Sequence, residues 1–231
     1  MQESDYSVDR PGGRRDSMPK INRAGKAYLW FTDRLYNELA WAYDFISSVV
    51  SLGQWSTWRK QALAYITGKK ILEIGFGTGE LLIELKRRGF ATYGLEVSGA
   101  MQQITAGKLG RLGLLCISRV CGKAQQLPFK SEYFDTVIVT FPAQYIFDPS
   151  TLAEIARVLR SPDEEGNIPP GRLVIVGLTI SPEGKSLGGV DVKNIWDQQF
   201  IQALGWDIQV IRPSHRKFSL PVIILEKQDN R

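Results

Sequence analysis

The chain alternates short apolar runs with amphipathic stretches along most of its length. The clearest run is Ile71-Leu72-Glu73-Ile74, apolar and rich in β-branched residues, which reads as a buried strand. Gly75, Gly77 and Gly79 follow it directly. Leu81, Leu82 and Leu85 then form the apolar stripe of a helix, with Lys86, Arg87 and Arg88 in its last turn and Gly89 as its stop. Further strands are predicted over 91–96, 114–120, 136–141 and 172–177, and 206–211 pairs with 219–225 as a hairpin. The intervening helices start at Ser98, an N-cap before Met101 and Ile104, and at Asp148-Pro149, running to about Arg160. A last one covers 192–204, with Trp196 and Phe200 inward; 161–170 and 184–189 read as loops. Strand and helix in alternation predict a doubly wound α/β sheet.

Upstream of the first strand the pattern changes. Tyr28, Trp30, Phe31, Leu35, Tyr36, Leu39, Ala40, Tyr43, Ile46 and Val50 recur at mixed three- and four-residue steps, which predicts one or two amphipathic helices. Ser51-Leu52-Gly53-Gln54 breaks them, and 55–66 resumes as a helix leading into the sheet. The chain therefore divides into a tail over 1–26, a helical cap over 27–67 and an α/β core over 68–231.

Composition narrows the class. The 231 residues are 43% hydrophobic and 23% charged, ordinary for a soluble globular protein. Neither a membrane-spanning run nor a signal-peptide core stands out, so a cytoplasmic location is expected. Two cysteines and one histidine make no metal constellation, so no metal is expected. Cys116 and Cys121 read as buried free thiols of a predicted strand and its exit. The net charge is +5, and the tail carries six Lys or Arg against four acids. It could be drawn weakly to anionic lipid at a membrane periphery, although a solvated tail is the simpler reading. No nucleic-acid-binding motif is present.

The glycine spacing bears on the ligand. A dinucleotide fingerprint would place its third glycine at position 80, where this chain has Glu80. A carboxylate at that helix N-terminus would repel a pyrophosphate, so a nucleoside ligand without phosphates fits better than NAD. The next strand ends in Glu96, 17 residues after Gly79, and an acid there can accept both hydroxyl hydrogens of a ribose.

These residues resemble motif I and the acidic second strand of the class I S-adenosylmethionine-dependent methyltransferases. Leu127-Pro128-Phe129 followed by Tyr133-Phe134-Asp135-Thr136-Val137-Ile138-Val139 is similar to the family's "LPF…FD-V" segment. Leu152 to Arg160 and Gly171 to Val176 resemble its next helix and fifth strand. Within the cap, Tyr43-Asp44, Ser51-Leu52-Gly53 and Trp58-Arg59 resemble the ubiquinone/menaquinone C-methyltransferases. The resemblance implies a seven-stranded, mostly parallel, Rossmann-like sheet with an antiparallel last strand, and S-adenosyl-L-methionine as cofactor. It places Glu73, Gly75, Phe76, Gly77, Thr78, Gly79, Glu96, Val97, Met101, Lys123, Ala124, Gln125 and Thr140 around that cofactor. Many relatives have an acid where Lys123 stands; Lys offers no acceptor, which leaves adenine to backbone atoms near Ala124 and to Gln125.

The implied reaction is methyl transfer to a small apolar or amphipathic acceptor: a quinone precursor, a lipid or a secondary metabolite. Because the methyl carbon is already activated, the protein's task is to align the acceptor and exclude water, and a base is needed only if the acceptor must lose a proton. Tyr43 in the cap and His215 in the last hairpin turn are the weak catalytic candidates. Four of the six tryptophans lie between 30 and 58, so the cap could either close over the site or simply pack onto the sheet. An NAD-dependent oxidoreductase and a non-catalytic S-adenosylmethionine-binding domain are the competing readings.

Overall fold

The structure is a computed structural model that describes residues 55–162, 165, 169–178, 196–211 and 220–227. The tail, most of the cap with Tyr43, the loop at 184–189 and the turn with His215 lie outside the described residues.

Seven strands form one sheet: β1 (Lys70–Ile74), β2 (Ala91–Glu96), β3 (Ser118–Cys121), β4 (Thr136–Thr140), β5 (Arg172–Val176), β6 (Trp206–Ile211) and β7 (Val222–Lys227). Their order across the sheet is β3-β2-β1-β4-β5-β7-β6. All neighbours are parallel except β7, which runs antiparallel to both β5 and β6. The expected mostly parallel, doubly wound sheet with an antiparallel last strand is present. The order reverses between β1 and β4, and the carboxyl ends of those two strands border the crevice where ligands collect in such sheets.

Helices cover both faces. They are α1 (Trp55–Lys60), α2 (Glu80–Arg87), α3 (Gly99–Arg111), α4 (Pro149–Val158) and α5 (Gln198–Ala203). Side chains alternate across the pleat, so Ile71, Ile138 and Val174 meet Leu81 and Leu85 of α2 and Ala62 on one face. Leu72, Ile74, Val137, Val139 and Leu173 meet Leu152 and Ile155 of α4 and Ile201 of α5 on the other. Strands buried on both faces must be apolar almost throughout, as β4 and β5 are.

The caps behave as their residue types dictate. Ser98 Oγ accepts from the Met101 amide at the start of α3, and Asp148 accepts from the Ser150 amide at the start of α4, with Pro149 in the first turn. The segment over 133–139 is tied down by Asp135: its Oδ2 accepts from the Lys69 amide (2.6 Å) and the Lys70 amide (2.9 Å), and its other oxygen pairs with Arg160. Leu127-Pro128-Phe129 is held from α4, where Arg157 donates to the Leu127 and Phe129 carbonyls and Glu154 accepts from the Leu127 amide.

Some predicted boundaries move. The helix expected over 55–66 is α1 followed by a 3-10 turn over Gln61–Tyr65. The third strand is only Ser118–Cys121 instead of 114–120. Gly113, at φ +66°, ends α3, and Leu114 and Ile117 then fold onto Ile83 and Leu109 rather than entering the sheet. Cys116 lies on that folded-back run and Cys121 at the end of the edge strand, and both are exposed rather than buried.

Candidate functional site

The site forms where β1 turns into α2. Gly75 donates its amide to the Leu95 carbonyl at 2.7 Å, which ties the end of β1 to β2. Gly77 (φ +53°) and Gly79 (φ +78°) take left-handed conformations that disfavour other L-residues. Their surroundings differ. A Cβ on Gly79 would lie 2.6 Å from Thr105 Cγ2, whereas one on Gly77 would meet none of the described residues within 4 Å. Thr105 also donates its hydroxyl to the Gly77 carbonyl at 2.9 Å. Helix α3 therefore supports one side of the loop and leaves the side at Gly77 open.

Glu96 stands at the tip of β2, 3% exposed. Its Oε2 accepts from the Gly77 amide (2.9 Å) and its Oε1 from the Ser98 amide (2.8 Å). Each oxygen keeps a lone pair, so the carboxylate is fixed and can still accept two hydroxyls. Glu73, on β1, is 1% exposed and its Oε2 has no hydrogen-bond partner among the described residues. Burial pushes its carboxyl up to about 8, and the negative charge of Glu96 adds to this, while Arg59 of α1 opposes it. Glu80, which replaces the third glycine of a dinucleotide loop, accepts from Lys108 at 2.7 Å.

The remaining predicted residues spread around this centre. Phe76 is buried among Leu82, Ile83, Leu109 and Ile117, and Thr78 and Met101 are buried too. Val97 is 62% exposed. The Gly122 amide donates to the Glu96 carbonyl (3.3 Å), which brings the segment with Lys123, Ala124 and Gln125 to the ends of β2 and β3. There Lys123 is exposed, Ala124 is buried, and Gln125 donates to Asp148 at 3.3 Å. Thr140 ends β4 opposite Val176.

Two neighbours were not among the predicted site residues. Tyr145, in a 3-10 turn over Gln144–Phe147 after β4, has its hydroxyl oxygen 3.2 Å from where a Cβ on Gly75 would stand. Burial, with the charges of Glu96 and Glu73, pushes its phenol well above the usual tyrosine range. Phe141 takes a left-handed φ of +50°, with its ring against Gly177 and 6.3 Å from that of Trp58. The only sequence signal for either was an aromatic residue just past the carboxyl end of a central strand.

The residues fit the S-adenosylmethionine that the motifs imply. The unpartnered oxygen of Glu73 suits an ammonium, the spare lone pairs of Glu96 suit a ribose diol, and the open side of Gly77 admits a ligand against the backbone. A site for phosphates would have a different donor set. Among the described residues no cluster of three or more His, Cys, Asp or Glu could hold a metal ion, and no helix is long and apolar enough to cross a membrane.

Comparison with known proteins agrees with the geometry. A demethylmenaquinone methyltransferase of Mycolicibacterium paratuberculosis is 33% identical over 145 residues, 61% of this chain and 56% of that protein. The enzyme of the same name from Thermobifida fusca is 29% identical over 161 residues, 67% of this chain and 65% of the relative. The chain thus spans rather more than half the length of the curated relatives it matches. Among solved structures, magnesium protoporphyrin IX methyltransferase from Synechocystis, determined with bound S-adenosylmethionine, superposes with a TM-score of 0.59 at 16% identity, covering 90% of this chain and all of that one. At that identity the likeness shows the fold. Residues 25–169 match the model of the ubiE/COQ5 methyltransferase family, and the chain belongs to that family.

Proposed function

We propose that this protein methylates a small apolar or amphipathic acceptor of the quinone-precursor kind, using S-adenosyl-L-methionine. The observation that carries the reading is the pair of buried carboxylates, Glu73 and Glu96, on either side of a glycine loop that is open at Gly77. Bound there, the cofactor supplies a methyl group already activated for displacement.

Glu96, fixed by two backbone amides, orients the ribose and with it the rest of the ligand. Glu73, short of one hydrogen-bond partner, receives the ammonium end. Just past the exit of β4 the Phe141 and Trp58 rings lie 6.3 Å apart, an apolar pair suited to an apolar acceptor. The quinone-precursor class is supported by the names of the mycobacterial and Thermobifida relatives. In this reading 68–231 is the cofactor-binding core.

Calorimetric titration with S-adenosylmethionine, S-adenosylhomocysteine and NAD tests the cofactor assignment. The two sulfur nucleosides should bind and NAD should not. NAD binding without the other two would overturn it.

A further inference from the structure

We infer that Tyr145 reads the charge on the cofactor's sulfur. Its hydroxyl oxygen, placed over Gly75, accepts the polarised C–H groups around a sulfonium and so favours S-adenosylmethionine over the spent thioether.

The argument begins with the order of groups along the ligand and rests on the cofactor assignment above. A ribose held by Glu96 and an ammonium held by Glu73 are joined, in this cofactor, through the sulfur. The sulfur must therefore lie along the stretch of loop between the two carboxylates. Gly75 lies on that stretch, and the Tyr145 oxygen is 3.2 Å from the point where a Cβ on Gly75 would stand. Burial and the charges of both carboxylates push the phenol upward, in keeping with a hydroxyl placed near them. The phenol is neutral near neutral pH, and an oxygen with lone pairs is what it presents.

The 3-10 turn that carries Tyr145 is well held. Ile146 is fully buried, Trp196 donates its indole N–H to the Ile146 carbonyl at 3.1 Å, and Gln125 grips Asp148 at the end of the turn. A group so fixed can discriminate, because it cannot follow the ligand. C–H···O contacts are weak singly, but a sulfonium polarises every adjoining carbon, and its charge is lost on transfer.

The test is the ratio of S-adenosylhomocysteine to S-adenosylmethionine dissociation constants, measured by calorimetry for the parent and for Tyr145→Phe. The phenylalanine keeps the ring and its packing. Thermal unfolding of the variant, with Tyr145→Leu as a comparison for lost ring packing, checks the fold. The expected result is an S-adenosylmethionine affinity about two- to fivefold weaker, with S-adenosylhomocysteine affinity unchanged. Equal weakening of both ligands, or no change in either, would overturn the inference and leave the cofactor assignment intact. If the parent binds neither ligand, both fail.

Discussion

Replacing Glu96 should damage the free protein as well as the ligand site. The carboxylate is almost fully buried and accepts from the Gly77 amide at 2.9 Å and the Ser98 amide at 2.8 Å. A hydrogen bond to a charged group contributes about 1.5–3 kcal/mol, and a buried donor left unpaired costs a similar amount. Two opposing effects apply: the cost of burying the charge disappears, and Glu73 loses a repulsive neighbour. Glu96→Ala should therefore destabilise the protein by about 2–4 kcal/mol, less than the sum of two bonds. Glu96→Gln keeps one acceptor oxygen but turns an N–H₂ toward the second amide, so it should lose about half as much. Urea unfolding followed by tryptophan fluorescence measures the first quantity, and calorimetry with S-adenosylhomocysteine the second, where both variants should bind at least tenfold more weakly. An Ala variant with unchanged urea midpoint would refute the reasoning, since the two amides would then not depend on this carboxylate.

Other outcomes follow from neighbouring residues. Glu73 titrates near 8 when folded against an ordinary 4.5, so the folded state holds a proton that the unfolded state has released between those values. Stability should fall by about 1.4 kcal/mol per pH unit at most across that window and level off above it, and Glu73→Gln should flatten the urea-midpoint profile. Because an ammonium favours the ionised acid, S-adenosylhomocysteine binding near neutral pH should release a proton, seen by titrating in buffers of different ionisation enthalpy. Gly77→Val should abolish cofactor binding in calorimetry while lowering stability by only about 1–3 kcal/mol for its left-handed φ, because no neighbour crowds its Cβ. Asp135→Asn should lose about 2–4 kcal/mol in thermal unfolding, through the Arg160 pair and the amides of Lys69 and Lys70. Cys116 and Cys121 should both react with a thiol reagent in the native protein.

Much of this was legible because local and tertiary signals agree. Strand, glycine loop and helix occur together over 70–87, and the Ser98 and Asp148 caps are set by residue type alone. The glycine positions pointed to the β1–α2 turn before any geometry. What periodicity could not see was context. Leu114 to Ile117 carries a strand's composition, yet it folds onto α2 and α3 and leaves Cys116 facing solvent, as Cys121 does at the end of the edge strand. Tyr145 and Arg59 reach the site only through packing: one comes from the turn after β4 and the other from the helix before β1, and neither lies near the glycines in sequence. The state of Glu73 depends on its burial and on Glu96, which no single residue type encodes. Asp135 shows the reverse, a motif residue whose task in the described structure is to fasten β4 to β1.

Methyl transfer itself is the most direct test of the account. The protein would be incubated with methyl-labelled S-adenosylmethionine and an extract of apolar metabolites, and the labelled products separated and identified by mass spectrometry. The account predicts label in an organic-extractable, quinone-type molecule, and at least tenfold less with Glu96→Ala at cofactor concentrations below its dissociation constant. Label confined to water-soluble products would contradict the acceptor class, and cofactor binding with no transfer to any acceptor in the extract would contradict the enzyme.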